Sequence, residues 1–138
     1  MTRKIFTVLI LLSIVAFTSA QTKADLAGTW KTITQVSMGK QNPPPTYMAL
    51  NADGTYLWGI DSTTGNPLKD VVKGTWDVTS DGDIKFMFTD SKDPARYYVK
   101  RGDMYEYDGY EENGKKKHEI VLEISSFIQK IEDTYQVK

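Results

Sequence analysis

The sequence predicts an all-β fold, an antiparallel meander closed into a small barrel of about eight strands. Three observations carry that expectation. After the first twenty residues, apolar and polar side chains alternate in short runs, and long helical periodicity is absent until the end. Asp-Gly, Gly-Asp and Asn-Gly pairs punctuate those runs. One phrase also occurs three times, as Gly28-Thr29-Trp30, Gly54-Thr55-Tyr56 and Gly74-Thr75-Trp76, each time opening an alternating stretch. A long meander usually closes, because closure removes its free edges.

Residues 1–20 read as a secretory signal peptide. Arg3 and Lys4 are followed by an apolar run from Ile5 to Phe17, then by Thr18-Ser19-Ala20 before a cut ahead of Gln21. The run is short for a membrane span, which takes about 20 apolar residues. The expected products are a leader, 1–20, and one domain, 21–138, exported to the periplasm or outside the cell, with no transmembrane anchor after cleavage. The chain has no cysteine, so a lipidated cysteine and disulfides are both excluded. Its 17 Lys and Arg balance 18 Asp and Glu. That is not the basic footprint of a nucleic-acid binder. Lys115-Lys116-Lys117 lies across a turn from Glu111 and Glu112 and reads as a solvated hairpin tip.

The expected strands are 26–38, 46–51, 55–60, 70–79, 84–89, 95–101, 104–110 and 117–124, with a further one at 133–137. The turns set their registers. A two-residue loop at Asp53-Gly54 makes Asn51 face Tyr56, Ala49 face Trp58 and Tyr47 face Ile60. The same loop at Asn113-Gly114 pairs Glu112 with Lys115 and Glu111 with Lys116, then Tyr107 with Ile120 and Tyr105 with Leu122. At Asp81-Gly82-Asp83 a three-residue loop with a left-handed glycine sets Val78 beside Phe86 and Trp76 beside Phe88. Pro43-Pro44-Pro45 stiffens the connection after the first strand, and 61–70 is a second long loop. Either could act as a lid or as a plain connector. Ser126 to Gln129 fits a capping box, which predicts a short C-terminal helix over about 127–132; a continuous strand from 127 is the alternative.

The segment Leu26-Ala27-Gly28-Thr29-Trp30-Lys31 resembles the Gly-x-Trp start of lipocalins and their calycin relatives. Asn51 to Tyr56 and Lys73-Gly74-Thr75-Trp76 resemble later strands of small secreted lipocalin-like domains of Bacteroides-type bacteria. The resemblance implies that Trp30 closes the narrow end of the barrel and that the other end opens to a ligand. The chain lacks the disulfide usual in lipocalins.

Catalytic constellations are thin. His118 is the only histidine and lies near a hairpin tip. Asp81-Gly82-Asp83 lacks the further ligands of a calcium loop. Arg101-Gly102-Asp103 spells an integrin-type tripeptide but also fits a turn. No cofactor, metal or catalytic residue is expected.

The Gly102-Asp103 turn gives the sharpest expectation. As a two-residue loop it makes Lys100 face Tyr105 and Tyr98 face Tyr107, with Arg96 on the same inner face. Cations among phenols and apolar groups suit a carboxylate on an apolar molecule. A turn one residue longer sends Arg96, Tyr98 and Lys100 to water. The expected ligand-binding set is Tyr56, Trp58, Phe86, Arg96, Tyr98, Tyr105 and Tyr107, and the partner is a small apolar or amphipathic molecule. The alternative is a filled barrel whose loops or outer face dock a protein or glycan of the cell envelope.

Overall fold

The computed structural model describes residues 22–36, 41–121 and 123–131. The leader and the strand expected at 133–137 lie outside these. Nine strands follow a one-turn helix α1 (Lys23–Leu26). They are β1 (Gly28–Val36), β2 (Tyr47–Leu50), β3 (Thr55–Ile60), β4 (Pro67–Val78), β5 (Ile84–Phe88), β6 (Arg96–Arg101), β7 (Met104–Glu112), β8 (Lys115–His118) and β9 (Ile124–Ile131). Strands β1 to β7 form an antiparallel meander, and β9 pairs with both β1 and β7 to close an eight-stranded barrel. The extra strand β8 extends only the far end of β7. This architecture is consistent with lipocalin-like folds and is not specific to them.

Each turn places the inner face, and several registers differ from expectation. The loop at Asp53-Gly54 takes in Ala52 as well. Asn51 N–H donates to Thr55 O, and Gly54 has φ +91°. The added residue shifts the pairing, so Leu50 and Met48, not Asn51 and Ala49, face Tyr56 and Trp58. That is the better core, because two apolar side chains replace an asparagine and an alanine. A bulge between Tyr47 and Met48 then restores the expected Tyr47–Ile60 pair.

The next hairpin does have a three-residue loop with a left-handed glycine, Gly82, but it spans 80–82. Thr79 N–H donates to Asp83 O, Trp76 faces Phe86 and Val78 faces Ile84. A shift of two residues leaves the same side chains inside. The Gly102-Asp103 turn pairs Lys100 with Tyr105 and Tyr98 with Tyr107 as expected, and Tyr98 is buried.

The C-terminal part departs most. The Asn113-Gly114 hairpin pairs Glu112 with Lys115 and Glu111 with Lys116, but its ladder stops at His118. Tyr107 therefore does not face Ile120, which is 87% exposed, and Tyr105 faces Ile128 instead of Leu122. Of the two readings from 127 onward the strand holds and the helix does not: 127–131 belong to β9, whose Ile128 is fully buried, and 132 lies outside the described residues. Barrel closure decides this. Among the described residues, Thr29 to Lys31 of β1 have β2 on one side only and Thr32 to Val36 pair with no other strand, and β9 supplies a partner at every one of these positions.

Alternation along the strands gives the barrel two unlike ends. The closed end carries α1 and the turns at 51–54, 79–83 and 102–103. Thr22 and Asp25 form a reciprocal capping box there, and Leu26 is buried. Trp30 plugs this end, donating its indole N–H to Leu26 O at 2.8 Å and meeting Tyr105 edge-on at 5.7 Å. Trp76 donates to Asn51 O at 2.9 Å. At Gly74 the chains approach so closely that a Cβ would lie 1.9 Å from Met87 O and 2.6 Å from the Tyr56 ring. The open end carries residues 41–46, 61–66, 89–95 and 119–121.

Candidate functional site

Of the seven residues expected to bind ligand, six lie in or against the core. Tyr56, Phe86, Tyr98 and Tyr105 are buried, and Trp58 and Tyr107 pack against them. Five of these six form one edge-to-face cluster. Tyr56 and Phe86 have centroids 5.2 Å apart, Phe86 and Tyr98 5.4 Å, Tyr98 and Tyr107 5.6 Å, and Trp58 lies 5.8 Å from Phe86. Tyr105 stands apart, against Trp30 at the closed end.

Arg96 and Lys100 do not lie inside. Both are exposed, because they flank the buried Tyr98 along β6 and so fall at opposite ends of the barrel. Arg96 stands at the open end with its guanidinium 5.2 Å from the Phe88 ring. It also lies close enough to Tyr56, Tyr98 and Tyr107 for its charge to act on all three phenols. Burial pushes Tyr56 and Tyr98 up to about 12, against the pull of Arg96. Burial, with a hydrogen bond to Glu119, raises Tyr107 as well. All three are therefore protonated donors at neutral pH. Tyr107 donates a hydrogen bond to Glu119 Oε1 at 2.8 Å. The Tyr56 hydroxyl is buried and has no hydrogen-bond partner.

Residues 41–46 at this end are fastened down. Thr32 N–H donates to Thr46 O at 2.8 Å, Asn42 Oδ1 accepts from Val36 N–H at 2.8 Å, and Trp58 Nε1 reaches Thr46 Oγ1 at 3.3 Å. The prolines stay exposed, and a small recess of about 150 Å³ separates Pro43 and Pro45 from β1.

Two features were not anticipated from the sequence. The first is a polar brace on the outer face. Lys116 donates to Asp83 at 2.9 Å and pairs with Asp108 at 2.8 Å, and His118 Nδ1 lies 3.0 Å from Asp108. Lys85 donates to Glu111 at 2.8 Å, and Tyr97 is buried beneath both lysines. The basic run is thus not wholly solvated, since Lys116 folds the hairpin end back over β6. Burial works to raise the Asp108 pKa, but hydrogen bonds from Lys116 and His118 outweigh it and leave the carboxyl below its ordinary value. His118 itself is 72% exposed.

The second feature is a pocket of about 210 Å³ in the barrel wall, between β7, β9 and residues 119–121. It exists because β9 pairs with β7 only at Tyr105 and Glu106, while β8 takes over at Gly109. The only cue in the sequence was an apolar Ile120-Val121 pair directly after the charged hairpin.

Among the described residues, no group of three or more His, Cys, Asp or Glu side chains is placed to hold a metal. The fold and this site define a small closed antiparallel barrel with an aromatic interior and a single exposed arginine, Arg96, beside it. The chain matches no family model, no curated protein and no solved structure.

Proposed function

We propose that this chain is an exported, lipocalin-like barrel that binds a small amphipathic acid at its open end and carries out no chemistry on it. The observation that supports this reading is the meeting of Arg96 with three protonated phenols, one of them buried and unpartnered. A buried hydroxyl without a partner costs about 1–3 kcal/mol. A ligand acceptor reaching Tyr56 would recover that cost. Arg96 would supply a charge-assisted bond to the carboxylate, and Trp58 and Phe86 would cover the apolar body.

Titration with short fatty and aromatic carboxylates, followed by tryptophan fluorescence, tests the reading. Saturable binding that weakens about tenfold in Arg96→Gln is expected, the worth of one charge-assisted bond. A panel without a saturating acid, together with a single unliganded mass for protein purified from its host, overturns it.

A further inference from the structure

The wall pocket holds a second chemistry, opposite in sign to the first. Three carboxylates line it, Glu106, Asp108 and Glu119. Two are already compensated: Glu106 pairs with Arg101 at 3.3 Å, and Asp108 with Lys116 at 2.8 Å. Glu119 is different. Its backbone N–H donates to Asp108 O at 3.0 Å and its carboxylate accepts from the Tyr107 phenol, so both ends of the residue are fixed. A neutral phenol does not cancel a charge, and among the described residues Glu119 has no ion pair. The same pocket is edged by three of the chain's exposed large apolar residues, Ile120 (87%), Val121 (45%) and Ile124 (43%). Exposed β-branched side chains gathered round a concavity mark a binding surface more than a random surface.

We propose that this pocket binds a small primary alkylammonium ion, whose head pairs with Glu119 and whose chain lies against Ile120, Val121 and Ile124. The size fits a short alkyl amine. At about 30 Å³ per water, about 210 Å³ holds roughly seven waters, below the range of about 300–1,000 Å³ typical of drug-sized sites. A hydrated metal ion would gain nothing from the apolar edge, and two of the three carboxylates are already engaged. The two sites share Tyr107, but this one uses Glu119 where the acid-binding reading uses Arg96, and the ligand charges are opposite.

NMR titration of the chain with n-pentylammonium, hexanoate and calcium chloride tests the proposal. Pentylammonium is expected to give saturable shifts at amides of 119–126. Glu119→Gln keeps an acceptor for Tyr107 and loses only the charge, so affinity is expected to fall at least about tenfold. Ile120→Ser is expected to weaken it about threefold by uncovering one edge. Pentylammonium that fails to saturate at millimolar concentration, equal affinity in Glu119→Gln, or equal shifts from hexanoate or calcium overturns the proposal. Should Glu119→Gln not fold, salt gives a separate readout, since affinity that does not fall as ionic strength rises also refutes pairing with a charge. Pentylammonium binding is indifferent to the outcome with carboxylates, so the two readings fail separately.

Discussion

The two ends of this barrel handle their polar groups in opposite ways. At the closed end both indole N–H groups are satisfied by backbone carbonyls, Trp30 by Leu26 and Trp76 by Asn51. Toward the open end the Tyr56 hydroxyl is buried without a partner and Arg96 stands exposed. The difference separates groups that complete the fold from groups left able to meet something outside it. The Gly-Thr-aromatic phrase divides between the two sides. Two of its three aromatics, Trp30 and Trp76, make these closed-end bonds, and the third, Tyr56, packs across Gly74.

The strongest attempt to break this division is to remove a closed-end indole. Trp30→Ala or Trp76→Ala is expected to cost about 3–5 kcal/mol, because each deletes a fully buried ring and leaves a cavity. Arg96→Gln, at an exposed site, is expected to stay within about 0.5 kcal/mol. Urea denaturation measures both. Comparable losses at the two ends would erase the distinction.

Gly74→Ala comes next. The added carbon would fall on the Met87 carbonyl and the Tyr56 ring, and a backbone oxygen cannot move aside cheaply. A loss of about 1–3 kcal/mol is expected in the same denaturation assay. An unchanged midpoint would mean that the β4–β5 ladder yields more readily than its close approach implies.

Most of the closed end was legible in the sequence. Trp30 as a plug came from the resemblance of its Gly-x-Trp segment to lipocalins, and Trp76 and Phe86 facing inward follow from strand alternation, which survives a shift of two residues. The Tyr98 orientation rested on the length of one turn, Gly102-Asp103, which the sequence left open and the two-residue register decides. Less of the open end could be read. Alternation places Arg96 on the inner face, but it does not say that the strand reaches the rim there and leaves the cation in water. The error at 117–124 has the same root. A turn dipeptide fixes the first pairs of a hairpin, Glu112–Lys115 and Glu111–Lys116, and says nothing about where the ladder stops. That point is set by β9, which must join β1 to β7, and no local signal at Ser126 to Gln129 records a partner so distant in sequence.

Tyr56→Phe sharpens the comparison from the other side. It deletes only an unpartnered hydroxyl from a site whose ring contacts with Phe86 remain. Stability is expected to stay level or rise by about 1 kcal/mol, since a buried group that makes no bond is removed. Carboxylate affinity is expected to fall in the same protein. A variant that loses stability and keeps its affinity would show that the hydroxyl serves the fold, as the closed-end indoles do.

Acid should also act unequally on the two ends, with the smallest effect of the four. The Asp108 carboxyl, held below its ordinary value, adds stability at pH above the unfolded carboxylate value of about 3.9, and that contribution fades as pH falls toward its folded value. Asp108 and Lys116 brace the hairpin of β7 and β8 beside the wall pocket. The acids held low at the closed end, Asp25 and Asp53, are bonded within their own turns, to Thr22 and Thr55. Below about pH 4, hydrogen exchange is therefore expected to quicken first at the amides of Gly109 and Lys116 and later along β1 and β2. Lys116→Met removes the strongest cation from Asp108, so its hairpin should exchange faster at neutral pH and respond less to acid. If β1 opened before the hairpin, the brace would not be what holds this wall, and the contrast between the ends would rest on their ring packing alone.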